Sequence, residues 1–203
     1  MAENLMTSLE MISRPDLTLP EAEAARVRAA YEGARVILEY GSGGSTVMAG
    51  EMPGKRVFSV ESDGEWAAMM RGWFEANPPR SEVDIIWSDI GDTKEWGYPK
   101  GTAEYIRFPR YPLEVWGLPE FTQPDVVLVD GRFRTGCAMA TALRTEKPVT
   151  LLFDDYKPRK QYHRVERYLG QPVYHGRLAE FEVTPMTLDP AHLLKTIEMM
   201  LRP

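Results

Sequence analysis

Three glycines within four residues, Gly41, Gly43 and Gly44, follow the short apolar run Val36-Ile37-Leu38 and its acid Glu39. Ser42, Ser45 and Thr46 fill in the turn, and the small residues Val47-Met48-Ala49 then open a helix. Glycine adopts backbone angles that a Cβ forbids and lets a ligand touch the main chain. The helix start presents unpaired N–H groups that favour a negative ligand group. A strand, a glycine-rich turn and a helix N-terminus in this order open many nucleotide-binding α/β sheets, and the other elements are read against that start.

At 203 residues one domain with a sizeable core is the economical reading, spanning residues 1–203, and no repeat or low-complexity linker divides it. Acids outnumber bases, 30 to 24, so the net charge of −6 disfavours nonspecific nucleic-acid binding. Cys137 is alone, which excludes an internal disulfide, and no Cys/His cluster has zinc-ligand spacing. Residues 1–10 are acidic with no apolar stretch, unlike a secretory leader, and no apolar run approaches membrane-spanning length. The expectation is a cytoplasmic protein without a membrane partner.

Residues 1–33 form an N-terminal helical segment, in which Thr18-Leu19-Pro20-Glu21 reads as a capping box before an alanine-rich helix to about Tyr31. After the glycine turn come a strand at 56–60 ending at Glu61, a helix capped by Asp63 with Trp66, Met69, Met70, Trp73 and Phe74 on one face, and a strand at 83–87 ending at Ser88-Asp89. Residues 91–124 lose all periodicity and hold five prolines and seven aromatics, among them Trp96, Tyr98, Tyr111 and Trp116. An irregular stretch this long is either a lid over a ligand or an ordered loop covering an apolar sheet face. The pattern resumes with a wholly apolar strand between Asp125 and Asp130, a helix over about 133–144, a strand at 149–153 ending at Asp154-Asp155, and a helix over about 159–169. A hairpin of 173–175 and 178–183 and a helical tail over 190–201 follow.

Alternating strands and helices predict an α/β three-layer sandwich around a mostly parallel seven-stranded sheet with a C-terminal antiparallel hairpin. Ligands of such sheets bind beyond the carboxyl ends of the strands, where Glu39, Glu61, Asp89, Asp130 and Asp154-Asp155 all stand. A dinucleotide turn asks for G-x-G-x-x-G, and Thr46 stands where its third glycine belongs, although Glu61 lies at the spacing of a ribose-binding acid. A pyrophosphate also tolerates an acid at the turn poorly, whereas a zwitterion beside a sulfonium is matched by Glu39 and Asp130.

The run Glu39-x-Gly41-x-Gly43-x-Ser45 resembles the E-x-G-x-G-x-G turn of the Rossmann-like (class I) S-adenosylmethionine-dependent methyltransferases, with serine replacing the last glycine, and the resemblance extends from about Arg35 to Val183. It implies that Gly41, Ser42, Gly43 and Ser45 lie against the amino-acid moiety of S-adenosylmethionine, with Glu39 holding the turn or the ammonium group. Glu61 would then accept from the ribose hydroxyls, Asp89 would meet the adenine amino group with Ile90 beside the ring, and Asp130 would stand near the ammonium and the sulfonium. A non-catalytic domain that keeps this pocket, and an NAD(P)-dependent oxidoreductase, are the competing readings.

Catalysis is less legible. Asp130 with Asp154-Asp155 is similar to the metal-binding acids of the catechol-type O-methyltransferases, and three carboxylates would suit a hard divalent cation. Asp155 replaces the expected asparagine, however, and Gly131-Arg132-Phe133-Arg134 replaces a catalytic lysine, so a metal is the lesser reading. His163 is the best-placed general base by residue type and Asp130 the second catalytic candidate. Arg132 and Arg134 after one strand, and Lys157, Arg159, Lys160, Arg164 and Arg167 after the next, point to a small anionic substrate met by Arg132, Arg134, Asp154 and Asp155, or to a solvated basic face.

Overall fold

The computed structural model describes residues 13–203; the expectation that residues 1–10 are unlike a secretory leader lies outside them. Each apolar run of the sequence becomes a strand of one sheet: β1 (Val36–Tyr40), β2 (Arg56–Glu61), β3 (Glu82–Trp87), β6 (Val126–Val129), β7 (Val149–Phe153), β8 (Val173–His175) and β9 (Leu178–Val183). Their order is β3-β2-β1-β6-β7-β9-β8, parallel from β3 to β7 and antiparallel where β9 pairs with β7 and β8 with β9. Two further strands, β4 (Thr93–Lys94) and β5 (Tyr98–Pro99), form a small hairpin apart from this sheet. The direction of strand addition reverses between β1 and β6, which makes their carboxyl ends the crevice where such sheets take ligands.

Alternation along the strands sorts side chains between two faces. Ile37, Val57, Val126, Leu128 and Leu152 pack under α1 (Glu21–Gly33) and α2 (Gly44–Glu51), beside α3 (Gly64–Ala76). Leu38, Tyr40, Phe58, Val60, Val127, Val129, Leu151 and Phe153 face the other way, toward α5 (Arg134–Arg144) and α7 (Leu193–Met200). Asp63 caps α3 as its sequence position suggests, accepting from the amides of Glu65 and Trp66. No helix among the described residues is long and apolar enough to cross a membrane.

The aperiodic stretch supplies core. Phe108, Tyr111, Val115 and Trp116 are buried in the α5 layer, the latter three from α4 (Arg110–Leu113) and the turn after it. The indole N–H of Trp116 donates to the Tyr40 hydroxyl at 2.7 Å, and that hydroxyl donates to the Pro112 carbonyl at 2.7 Å. The half that carries β4 and β5 lies differently, with Trp96 at its tip 79% exposed. Only the later half therefore takes the place that a crossover helix would occupy over the sheet.

Three details depart from the sequence reading. Helix α1 begins at Glu21 with Pro20 as its cap and no side-chain capping bond, so the box at Thr18 is not formed. Ser45 lies inside α2, and it is the Thr46 hydroxyl that accepts the cap amide of Gly43, at 2.9 Å. The helix expected over 159–169 is a 3₁₀ run, Lys160–Val165, with one α turn, α6 (Glu166–Leu169). Because Trp116 is a core residue, Trp116→Ala is expected to cost about 3–5 kcal/mol in urea unfolding; a loss below about 1 kcal/mol would mark this half as a detachable lid.

Candidate functional site

The carboxyl ends of β1 and β6 are pressed into one unit. The Tyr40 carbonyl accepts from the amides of Asp130 at 2.9 Å and Gly131 at 2.5 Å, and the Gly41 amide donates to the Val60 carbonyl at 2.8 Å. Gly41 has φ +103°, and a Cβ there would stand 2.7 Å from the Gly131 nitrogen, so both its backbone angle and its neighbour require glycine. A Cβ on Gly43 would meet nothing within 4 Å, which leaves that flank of the turn clear. The Trp66 indole N–H closes the other flank by donating to the Ser42 carbonyl at 2.8 Å.

Glu39 belongs to the inner layer of this unit. It shares the sheet face of Ile37, so its carboxylate points under α1 and is completely buried, accepting from the Tyr31 hydroxyl at 2.5 Å and from Ser59 at 3.3 Å. Burial pushes its pKa up from the usual carboxylate range, while the hydroxyls of Thr46, Tyr31, Ser45 and Ser59 work against that shift. Of the two roles open to Glu39, this placement suits support of the turn rather than contact with a ligand.

Glu61 ends β2 beneath the same turn. Its Oε1 accepts from the Ser62 amide at 2.7 Å, the Asp63 amide at 2.9 Å and the Ser62 hydroxyl at 3.2 Å; among the described residues Oε2 accepts only the Ser42 amide, at 3.1 Å. Burial again raises the pKa of the carboxyl, with the Asp63, Ser42 and Ser62 donors opposing. At the end of β3, Asp89 accepts the Gly91 amide at 2.9 Å and Arg107 at 3.0 Å, Ile90 is buried, and the Ser88 hydroxyl is buried with no partner among the described residues. The β4–β5 hairpin arches over these ends: Ser62 donates to the Gly97 carbonyl at 3.0 Å, Thr93 donates to Asp63 at 3.2 Å, and the Tyr98 ring lies 4.0 Å under the Arg132 guanidinium.

Beyond β6 and β7 the acids are matched by arginines. Arg134 donates to Asp130 at 3.1 Å and stands 3.8 Å from Asp155; Arg159 reaches Asp155 at 2.7 Å; Arg177 holds Asp154 through two bonds, 3.0 and 2.6 Å, and Asp155 at 3.2 Å. Arg134 also donates to the carbonyls of Gly131, Asp154 and Asp130. Among the described residues no group of three or more His, Cys, Asp or Glu side chains is placed to hold a metal ion. Carboxylates already held by guanidinium groups are poor ligands for a hard cation, so the metal reading of Asp130, Asp154 and Asp155 has no donor set behind it.

His163 is held by Tyr156, next to Asp155 in the chain, and by Glu166. Its ring stacks on Tyr156 with centroids 4.8 Å apart, Nε2 lies 3.3 Å from the Tyr156 carbonyl, and Nδ1 lies 3.6 Å from Glu166. Sequence reading did not name Arg177 and gave Ser88 and Tyr31 no part in the site. Arg177 became findable only through register, since pairing of Ala179 with Phe153 carries the hairpin turn to the Asp154-Asp155 end of β7. Asp130 is the one edge acid whose pKa is carried far from its ordinary value: burial pushes it to about 7, Arg134 and Arg177 opposing and Asp154 and Asp155 adding. The folded protein thus keeps a proton that the unfolded chain loses, and the stability tied to it is present in acid and lost as pH rises through about 7. Asp130→Asn removes this dependence, so the melting temperature of the variant relative to wild type is expected to rise between about pH 4 and pH 8; parallel pH profiles would exclude it.

No protein-family model matches the chain, and no curated protein does. Among solved structures, a methyltransferase-like protein from Silicibacter pomeroyi DSS-3 superposes with a TM-score of 0.92 at 57% identity, covering 94% of this chain and 99% of its own. The O-methyltransferase TomG from Streptomyces achromogenes, involved in tomaymycin synthesis and solved in complex with SAM, matches at TM-score 0.53 and 14% identity over 83% of this chain and 82% of its own. An O-methyltransferase from Bacillus cereus in complex with SAH matches at TM-score 0.50 and 15% identity over 84% and 82%. The latter two share the fold. With the glycine turn, the strand order and the 57% identical relative together, the chain belongs to the Rossmann-like S-adenosylmethionine-dependent methyltransferase family.

Proposed function

We propose that this chain is an S-adenosylmethionine-dependent methyltransferase acting on a small molecule. One observation carries the reading. The buried side-chain polar atoms without a hydrogen-bond partner among the described residues are the Ser88 hydroxyl and Arg132 Nε, the first directly after the carboxyl end of β3 and the second three residues after that of β6. Buried polar groups are nearly always paired, so orphans gathered on the binding edge fit a ligand that completes them. Glu61 Oε2 has acceptor capacity left and Gly43 leaves its flank of the turn clear, which also fits the cofactor.

In this reading the Gly41–Gly43 turn, with Ser42 and Ser45, receives the amino-acid moiety and Glu39 braces it from below. Glu61 accepts from the ribose hydroxyls, Asp89 and Ile90 meet the adenine, and Asp130 faces the ammonium group. The cofactor supplies a methyl group already activated by its sulfonium, so the protein's tasks are alignment and exclusion of water. The β4–β5 hairpin over Glu61 and Arg132 suits the second task. Asp130, with its pKa near 7, suits holding or taking the acceptor's proton.

A second reading, a non-catalytic domain that binds the same cofactor, is favoured by the arginine pairing of the edge acids. Binding is tested first. S-adenosylhomocysteine at about a hundred times its Kd is expected to stabilise the fold by about 2.7 kcal/mol in a thermal-shift titration, with no response to NAD or NADP. Glu61→Ala should abolish the shift. A response to NAD alone, or none to either nucleotide, would sink the proposal; cofactor binding without methyl transfer to any acceptor of a broad panel would favour the non-catalytic domain.

A further inference from the structure

Around the ends of β6 and β7 the charges nearly balance. Asp130, Asp154 and Asp155 are each within ion-pair distance of at least one of Arg134, Arg159 and Arg177. Among the described residues Arg132 is the buried cation left over, whereas Lys157, also unpaired, is exposed. Arg132 is only 9% exposed, its Nε is buried without an acceptor, and no carboxylate lies within ion-pair distance of its guanidinium among the described residues. What faces it is the Tyr98 ring, 4.0 Å away. Its backbone is fixed independently of the side chain, the amide donating to Tyr111 at 3.4 Å and the carbonyl accepting from Cys137 at 3.4 Å.

The ring face attracts the guanidinium but offers no oxygen acceptor, so the buried Nε–H of Arg132 is left unanswered. An arginine withdrawn from water without a counter-charge is a large electrostatic debt unless an anion completes it. A guanidinium also presents N–H donors in a planar fork that matches carboxylate and phosphate oxygens two at a time. We propose that Arg132 is an anion-binding residue of the cofactor cleft, pairing with a carboxylate or phosphate group while Tyr98 holds the plane of the fork. This rests on the methyltransferase reading for its location and adds the chemistry of the ligand: a full negative charge at this point, on either the methionine carboxylate of the cofactor or the acceptor.

The test uses the full chain, wild type and Arg132→Met, with three probes: S-adenosylhomocysteine, 5′-methylthioadenosine (which lacks the carboxylate) and inorganic phosphate against sodium chloride at equal ionic strength. Without ligand, Arg132→Met is expected to melt no lower than wild type, because methionine fills the space without a buried charge. If the cofactor carries the anion, the variant loses at least tenfold in affinity for S-adenosylhomocysteine and none for 5′-methylthioadenosine. If the acceptor carries it, both nucleosides bind unchanged and the rise in melting temperature that phosphate gives wild type disappears. Identical responses of the two proteins to all three probes, or equal weakening of both nucleosides, would overturn the proposal. Should Arg132→Met fold poorly, Arg132→Lys, which keeps the charge and loses the fork, is expected to show a smaller loss on the same probe. Failure of wild type to bind either nucleoside would refute the cofactor reading alone, with the phosphate comparison still deciding on Arg132.

Discussion

The Tyr40 carbonyl, accepting two amides from the end of β6, is the contact on which the binding edge depends. It brings the glycine turn and the Asp130–Arg134 segment so close that Gly41 and Gly131 meet main chain to main chain, with no room for a Cβ at Gly41. That proximity sets where everything else can go. The Tyr111 hydroxyl reaches the Val60 carbonyl and the Arg132 amide only because those loops converge, and the aromatic layer of Tyr40, Tyr111, Phe108 and Phe133 fills the space beneath. Phe133 holds φ +49° at the start of α5, a conformation that costs a bulky residue and persists where its surroundings dictate it.

Charge is handled in two layers. Beneath the turn, Glu39 is sealed among hydroxyl donors. At the rim, arginines and aspartates neutralise one another in a network whose members come from β6, α5, β7 and the hairpin turn before β9. Buried ion pairs of this sort add little net stability, yet breaking one strands its partner without hydration. The network therefore fixes positions more than it adds free energy. Arg132 stands outside it, and this asymmetry separates scaffolding charges from a charge available to a ligand.

Much of this could be read from sequence, for reasons that differ by element. The strands announced themselves because a buried parallel sheet needs uninterrupted apolar runs, and their ends did because an acid follows each run. Asp63 was legible as a cap because its effect is local. The packing of Phe108, Tyr111 and Trp116 was not, since a segment that covers a sheet by irregular turns leaves no period. Nor was the pairing of Arg177 with Asp154, which depends on antiparallel register across a hairpin rather than on spacing. The stacking of His163 on Tyr156 was not legible either, because it depends on packing rather than on residue type or spacing.

The register of Ile37 against Val126 has a kinetic meaning. Neighbours elsewhere in the sheet lie a few tens of residues apart or fewer, whereas this pairing closes a loop of about ninety, whose entropy must be overcome before its contacts repay it. The glycine turn sits on the near side of that closure, beside β2. Asp130 and Arg132 sit on the far side. The binding edge is thus assembled across the least local junction of the chain, and any opening of that junction takes the rim apart while leaving the turn on a still-paired strand.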